Sequence, residues 1–255
     1  MSGPWRLLRA GGRLLRLAAV FVGAAAELLV AVGPRADLRR RAQWLSRWSG
    51  RALRVLQVRV HVRGRAPCEG AVVSNHLGYL DILVFSAVNE QASFLAKAEV
   101  RRWPVIGRFA AWSGARFIER RRRRDLPRQH QMLREIVAHA VVPTLFLEGT
   151  STDGAGVLPF HPALLEPAVG AGWLLTPAAI RFSAEGGDPA TCVCWWGDMT
   201  FLGHLLRLAR LDSVTAYLIF GPPLAAHGDR KLLARRLRDE VLALRTEIGC
   251  PAPCP

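Results

Sequence analysis

"AVVSNHLGYLD", residues 71–81, is the stretch on which the reading of this chain turns. An apolar run climbs to Val73 and becomes polar at once, at Ser74, Asn75 and His76. Asp81 follows His76 by five residues. The apolar run reads as a short buried strand, and residues 81–89 read as a helix. The polar turn therefore lies where a strand hands over to a helix, with Gly78 free to take an unusual backbone conformation. A neutral imidazole can accept a hydroxyl proton near neutral pH. It does so best when a carboxylate on its other nitrogen fixes the tautomer. A histidine in the turn and an aspartate in the first turn or two of the helix can meet. Taken alone, the pair is equally well explained as a helix N-terminus beside a satisfied surface histidine.

The pattern on either side repeats this alternation. "LQVRVHVRG" alternates apolar and polar residues and reads as a half-buried strand ending at Gly64. "ASFLAKAEV" starts as a strand, and "WPVIGRFAAWSGARFIER" combines a Pro-Gly turn, a short helix and a strand. A helix begins near Leu126. "VVPTLFLEG", "LLTPAAIRFS", "TCVCWWG" and "VTAYLIFG" read as further strands, and Asp229 to Glu247 as a charged amphipathic helix. Strands alternating with helices predict an α/β fold, a mixed and mostly parallel sheet flanked by helices. Ligand sites in such folds lie just beyond the carboxyl ends of strands. "SNH" and "EGT" both follow apolar strands, so the two segments can meet on one rim. After the strand "TLFL", Glu148, Gly149, Thr150 and Ser151 put a carboxylate, hydroxyls and turn amides together, a suitable lining for an acceptor alcohol or an oxyanion. A plain Gly/Ser/Thr turn has the same composition.

The chain has 255 residues, 51% of them apolar, enough for one α/β domain with an appended segment and incompatible with a disordered chain. Lys and Arg number 35 against 20 Asp and Glu, a net charge of +15 that attracts polyanions such as anionic lipid, nucleic acid or phosphate-bearing ligands. The five cysteines, Cys68, Cys192, Cys194, Cys250 and Cys254, lack zinc or redox spacing and read as reduced thiols. Residues 1–50 form a basic amphipathic segment of two helices. The first could pass for a signal peptide or a short spanning helix. Arg6, Arg9, Arg13 and Arg16 at helical spacing, with Glu27 inside the apolar run, favour a helix that lies in the membrane interface or re-enters it. Trp44 and Trp48 suit either headgroup depth or the core. Residues 51–248 form the main domain, and residues 249–255 a loose tail.

The order "NHLGYLD", "GARFIER", "FLEGTS", "LTPAAI" resembles the glycerolipid acyltransferase family, the lysophosphatidic acid type. The four motifs span roughly residues 70–182. The resemblance implies that His76 is the general base taking the proton of the acceptor hydroxyl, that Asp81 orients it, and that Asn75 supports the turn. It places Lys97, Arg116 and Arg120 near the acceptor headgroup. Glu148, Gly149 and Thr150 bind the acceptor and help hold the tetrahedral intermediate. Pro177 and Ile180 shape the acyl tunnel. The implied donor is an acyl thioester on coenzyme A or acyl carrier protein, with no metal and no permanently bound cofactor. The implied partners are a lysophospholipid acceptor and an anionic membrane surface, not nucleic acid, on the cytoplasmic face of the membrane.

Two residues depart from the family pattern. Leu147 stands where the family has Pro, a tolerable backbone change. Ser151 stands where the family has an Arg associated with the acceptor's phosphate. One charge-assisted hydrogen bond is worth about 1.5–3 kcal/mol. Either another Arg supplies that contact, or the headgroup is not a bare phosphomonoester, and lyso-ornithine lipid or another zwitterionic lysolipid becomes the acceptor. Competing readings are a thioesterase that uses the same His-Asp pair on water and a non-catalytic basic membrane-binding or nucleic-acid-binding module.

Overall fold

The computed structural model describes residues 3–33, 36–103, 105–119 and 123–249. The chain opens with two helices, α1 (Gly3–Glu27), prolonged by a π-helical turn at Leu28–Val32, and α2 (Leu38–Val55). Asp37 starts α2 by accepting the Arg40 N–H at 2.8 Å, a side-chain cap for one of the helix's unpaired amides. The sheet domain follows: β1 (Val58–Arg63), β2 (Ala71–Ser74), α3 (Tyr79–Val88), β3 (Ala92–Lys97), α4 (Ile106–Trp112), β4 (Arg116–Ile118), α5 (Leu126–Ala138) and β5 (Val142–Leu145). Then come α6 (Glu166–Ala171), β6 (Leu174–Glu185), α7 (Pro189–Cys192), α8 (Phe201–Arg210), β7 (Ser213–Phe220), β8 (Leu224–Ala225) and α9 (Arg230–Gly249).

The strands form one sheet in the order β1-β7-β6-β2-β5-β3-β4, with β8 paired to β6. The pairs β1/β7, β6/β2, β2/β5, β5/β3 and β3/β4 are parallel, and β6 runs antiparallel to β7 and β8. This is the mixed, mostly parallel sheet expected from the alternation of strands and helices. Its central strands are buried on both faces, which is why β2 and β5 read as unbroken apolar runs. Successive side chains go to opposite layers. Val72, Ala178 and Ile180 pack under α1, α2, α3 and α8, with Leu17, Leu53, Phe85 and Leu208. Val73, Ala179 and Leu175 pack under α5, α6 and α9, with Ile136, Ala168 and Leu237. A fully buried side chain such as Phe85 contributes about 1.5–3 kcal/mol to holding α3 on the sheet.

The N-terminal helices share this core rather than standing apart from it. The buried face of α1 carries Ala10, Arg13, Leu17 and Ala24. Arg13 donates to the carbonyls of Ala209, Leu211 and Asp212 at 3.1, 2.5 and 3.1 Å, the unpaired acceptors at the C-terminus of α8. Arg9 adds an ion pair to Asp212 at 2.6 Å, and Arg6 another at 3.6 Å. Three of the four arginines at helical spacing are thus turned to the protein, and Arg16 is exposed. Glu27 accepts from Arg47 at 2.5 Å and from the Trp48 indole at 2.9 Å, which explains a carboxylate inside an apolar run. Trp44 is buried and donates to the Ala24 carbonyl at 3.0 Å, so it packs between α1 and α2. The opposite face of α1 is apolar and open: Leu8, Leu15, Val22 and Leu29 fall seven residues apart and are all exposed, Leu15 by 75%. Trp5–Val32 is long and apolar enough to cross a membrane.

One expected strand is absent. "TCVCWWG" is the end of α7 and a loop. Asp188 caps α7 by accepting the Ala190 N–H at 3.1 Å and Pro189 occupies its first turn, a helix start that outweighs the β-type composition. Cys192 and Cys194 are free thiols, as is Cys68; Cys250 and Cys254 lie outside the described residues.

Candidate active site

The register of β2 and β5 puts Val73 opposite Leu145. The two strands therefore end side by side, and their loops meet on the carboxyl rim of the sheet. Asn75 fixes the first loop: its amide donates to the Ile180 carbonyl at 3.0 Å and its Oδ1 accepts the Ile180 N–H at 2.9 Å, a two-way clamp onto β6. The next residue, His76, is held by its backbone. Its N–H donates to Glu148 Oε1 at 2.7 Å, and its carbonyl accepts the Thr152 N–H at 3.0 Å.

Asp81 lies in the first turn of α3, fully buried. Its Oδ2 accepts from His76 Nδ1 at 2.8 Å, from the Leu77 N–H at 2.6 Å and from the Gly78 N–H at 3.1 Å. One carboxylate oxygen thus caps the helix and orients the imidazole. An oxygen already taking two backbone donors is an acceptor, so the proton shared with the ring sits on Nδ1. Nε2 keeps its lone pair, and among the described residues no group takes it. The ring is stacked on Phe146, centroids 4.2 Å apart and planes 15° apart, and is partly open to solvent. Gly78 makes the close turn feasible. Its φ is 147°, and a Cβ there would stand 2.9 Å from the Trp195 backbone nitrogen. That nitrogen is itself tied to the turn, donating to the Leu77 carbonyl at 2.7 Å.

Glu148 is turned inward. Its second oxygen, Oε2, accepts the Leu158 N–H at 2.7 Å, so both oxygens are occupied by backbone donors and the side chain is buried. Burial holds its pKa above the usual carboxylate range, against the pull of the Leu158 and His76 amides. Its place is that of a brace joining the loop after β2 to the segment 149–161. The Gly149 N–H donates to the Phe146 carbonyl at 3.3 Å, while Thr150 is exposed at the mouth and Ser151 is half-buried beside Thr152.

The same segment is held from behind by two arginines that sequence reasoning passed over. Arg238 donates to the Val157 carbonyl at 2.7 Å and to the Leu158 carbonyl at 3.1 Å. Arg245 donates to the carbonyls of Gly154 and Ala155. The two lie seven residues apart, on one face of α9. Their spacing was visible in the chain, but nothing local said which loop they would meet.

The remaining expected residues are distributed more widely. Pro177 and Ile180 are buried in β6 next to β2. Lys97 ends β3, two strands from β2, exposed and 3.8 Å from Glu99. Arg116 begins β4, three strands away, and pairs with Glu135 of α5 at 3.3 Å. Neither touches the His76–Asp81–Glu148 group. Arg120 lies outside the described residues.

The chain that carries this arrangement is similar to known proteins. The family model described as Acyltransferase matches residues 57–181. The lyso-ornithine lipid O-acyltransferase of Pseudomonas aeruginosa is 36% identical over 253 residues, 97% of this chain and 96% of that protein. This chain belongs to the acyltransferase family. The Brucella abortus lyso-ornithine lipid O-acyltransferase is 38% identical over 192 residues, 69% of this chain and 71% of that one. A 1-acyl-sn-glycerol-3-phosphate acyltransferase of Neisseria gonorrhoeae is 35% identical over 68% of each chain. The fold is also that of the 1-acyl-sn-glycerophosphate acyltransferase PlsC of Thermotoga maritima, with a TM-score of 0.66 at 20% identity, covering 96% of this chain and all of that one. As an acyltransferase, the chain is an enzyme of acyl-group transfer, and the motif order that suggested the family corresponds to the matched region.

Proposed function

We propose that this acyltransferase esterifies the free hydroxyl of a membrane lysolipid with the acyl chain of a thioester donor. The observation that carries the reading is the His76–Asp81 pair, with Nδ1 committed to the carboxylate and Nε2 open at the rim. In the reaction the acceptor hydroxyl gives its proton to His76 Nε2 as its oxygen attacks the thioester carbonyl. The tetrahedral intermediate collapses with cleavage of the C–S bond. The leaving thiolate takes the proton back from the imidazolium, giving an ester and a free thiol. Asp81 stabilises the transient positive charge on the ring and keeps its tautomer. Asn75 and Glu148 hold the loop, and Gly149 and Thr150 line the acceptor's mouth; Pro177 and Ile180, expected to shape an acyl tunnel, are buried in β6 and go to opposite layers of the sheet, so they support the rim from below.

Of the acceptors named for the relatives, an amino-acid-headed lysolipid of the lyso-ornithine type is favoured by Ser151, which offers a hydroxyl where a cation would meet a phosphomonoester. The open apolar stripe of α1 would rest in the bilayer that holds the acceptor, on the cytoplasmic side, with exposed arginines such as Arg16 among anionic headgroups. The test is an assay of the purified full chain on vesicles carrying lyso-ornithine lipid or lysophosphatidic acid, with the acylated product read by mass spectrometry. Wild type should prefer lyso-ornithine lipid. Ser151→Arg should shift relative kcat/KM toward lysophosphatidic acid about tenfold, one charge-assisted contact. A wild type that prefers lysophosphatidic acid and is unaffected by Ser151→Arg would overturn the headgroup assignment.

A further inference from the structure

The peptide unit between Val157 and Leu158 is gripped at both ends. Its carbonyl oxygen accepts from Arg238 Nη2 at 2.7 Å and from Nε at 3.2 Å, and its N–H donates to Glu148 Oε2 at 2.7 Å. A guanidinium on the oxygen and a carboxylate on the nitrogen polarise one amide in the same sense, so each bond strengthens the other. The second oxygen of Glu148 accepts the His76 N–H, also at 2.7 Å. Arg238 of α9 is thereby joined to the backbone of His76 by a line of hydrogen bonds, although it makes no hydrogen bond or ion pair with Glu148 or His76 among the described residues. Arg245, seven residues further along α9, grips the Gly154–Ala155 peptide in the same way. The N–H of that peptide goes to Asp153 Oδ1 at 2.8 Å, and that line stops short of the His76 turn. Arg235 borders the same cleft as Arg238, beside Pro159, Phe160 and Pro162, but among the described residues it donates to no carbonyl of the segment.

We propose that Arg238 is a positioning residue for the reaction: through the Val157–Leu158 peptide and Glu148 it sets where His76 stands against the acceptor hydroxyl. The proposal rests on the acyl-transfer reading of the His76 site. Its first support is electrostatic. Glu148 accepts two amides best as a carboxylate, yet burial and the nearby charge of Asp81 disfavour that form, and the Leu158 and His76 amides oppose them. A cation on the far side of the Leu158 peptide strengthens one of those two amides without entering the buried site. Its second support is local. The Leu158 side chain is 41% exposed, so its own packing does little to fix this peptide, whereas the polar grips close it from both sides. Its third support is leverage. His76 is tied at its ring by Asp81, at its carbonyl by Thr152 and at its N–H by Glu148. Loosening one tie displaces the imidazole, and a misplacement of about 1 Å can cost about 10²-fold in rate.

The test is a double-mutant cycle on the full chain, read as kcat and acceptor KM on lysolipid vesicles with an acyl thioester donor. A second readout is the His76 backbone amide resonance in protein isotope-labelled at histidine, assigned by its loss in His76→Ala. Arg238→Met keeps the length of the side chain and removes its charge. It should lower kcat about tenfold with acceptor KM nearly unchanged, and move the His76 amide proton upfield as its bond to Glu148 weakens. Arg238→Lys should recover most of the rate, and Arg235→Met should change neither readout. In a Glu148→Gln background, where the line is already broken, Arg238→Met should cost less than about threefold more. Should Arg238→Met fold poorly by circular dichroism, Arg238→Gln, which keeps a donor without the charge, serves the same cycle. An equal loss in both backgrounds, or a wild-type kcat without the guanidinium, would overturn the proposal. So would a His76 amide that does not move in the charge-removed variant. If wild type transfers no acyl group while the amide still responds to Arg238→Met, the line to His76 stands and the acyl-transfer reading falls.

Discussion

A single oxygen, Asp81 Oδ2, organises the turn after β2. It takes the ring of His76 and two backbone amides at once, so the same carboxylate caps α3 and sets the tautomer of the imidazole. Asp81→Asn keeps an oxygen for the amides but can present an N–H to the ring, which favours the wrong tautomer. The account predicts a transfer rate lower by about 10²–10⁴-fold, with circular dichroism and melting close to wild type. Retained activity in that variant would mean that tautomer control lies elsewhere. His76 and Asp81 were legible in the sequence because they are five residues apart and the geometry joining them is one turn of chain. Glu148 was legible as a member of the site but not as a brace. Its inward orientation depends on amides at His76 and Leu158, which only the completed fold brings to it.

At the scale of elements, the sequence pattern located every strand of the sheet but the two-residue β8, because buried strands are short apolar runs bounded by turns. It failed at Cys192–Cys194, where Asp188 and Pro189 start a helix within a run of β-forming residues, and it gave no assignment for α8. α8 matters because it meets Tyr79, the first residue of α3, just after the His76 turn. Its His204 is fully buried and shares a hydrogen bond with the Tyr79 hydroxyl at 2.9 Å. Burial, with the charge of Arg207, lowers the His204 pKa to about 4. The fold therefore favours the neutral ring. The stability this contributes is fully present above the ordinary histidine range, near pH 6.5, and is lost as pH falls toward 4, because the unfolded chain binds the proton first. Unfolding free energies from urea titrations at pH 7 and pH 5 should differ by about 2 kcal/mol more in wild type than in His204→Gln, which keeps an acceptor for Tyr79. Equal differences in the two proteins would place the acid sensitivity in other groups.

At the scale of the molecule, the sheet lies between a layer of α1, α2, α3 and α8 on one face and a layer of α5, α6 and α9 on the other, with the His76–Asp81 pair at its carboxyl rim. Residues 1–50 read from the sequence as basic and amphipathic, but the pattern did not say which charges the protein itself would hold. Arg6, Arg9 and Arg13 share the helical spacing of Arg16, yet they are held by the end of α8, a partner some 200 residues along the chain. The open face of α1 is instead the apolar stripe Leu8, Leu15, Val22 and Leu29, the surface proposed to meet the bilayer. Leu15→Glu with Val22→Glu should reduce sedimentation with anionic vesicles by about tenfold or more, since about 1.5–3 kcal/mol per apolar side chain is withdrawn from the bilayer, and should leave the melting temperature near wild type. Unchanged vesicle binding would move the membrane contact off α1. The central claim is that His76 is the base, and its most direct test is the acyl-transfer rate of folded His76→Ala on lysolipid vesicles. The account predicts a fall of about 10²–10⁴-fold with acceptor and donor binding retained. A variant that keeps more than about a tenth of the wild-type rate on that scale would contradict it.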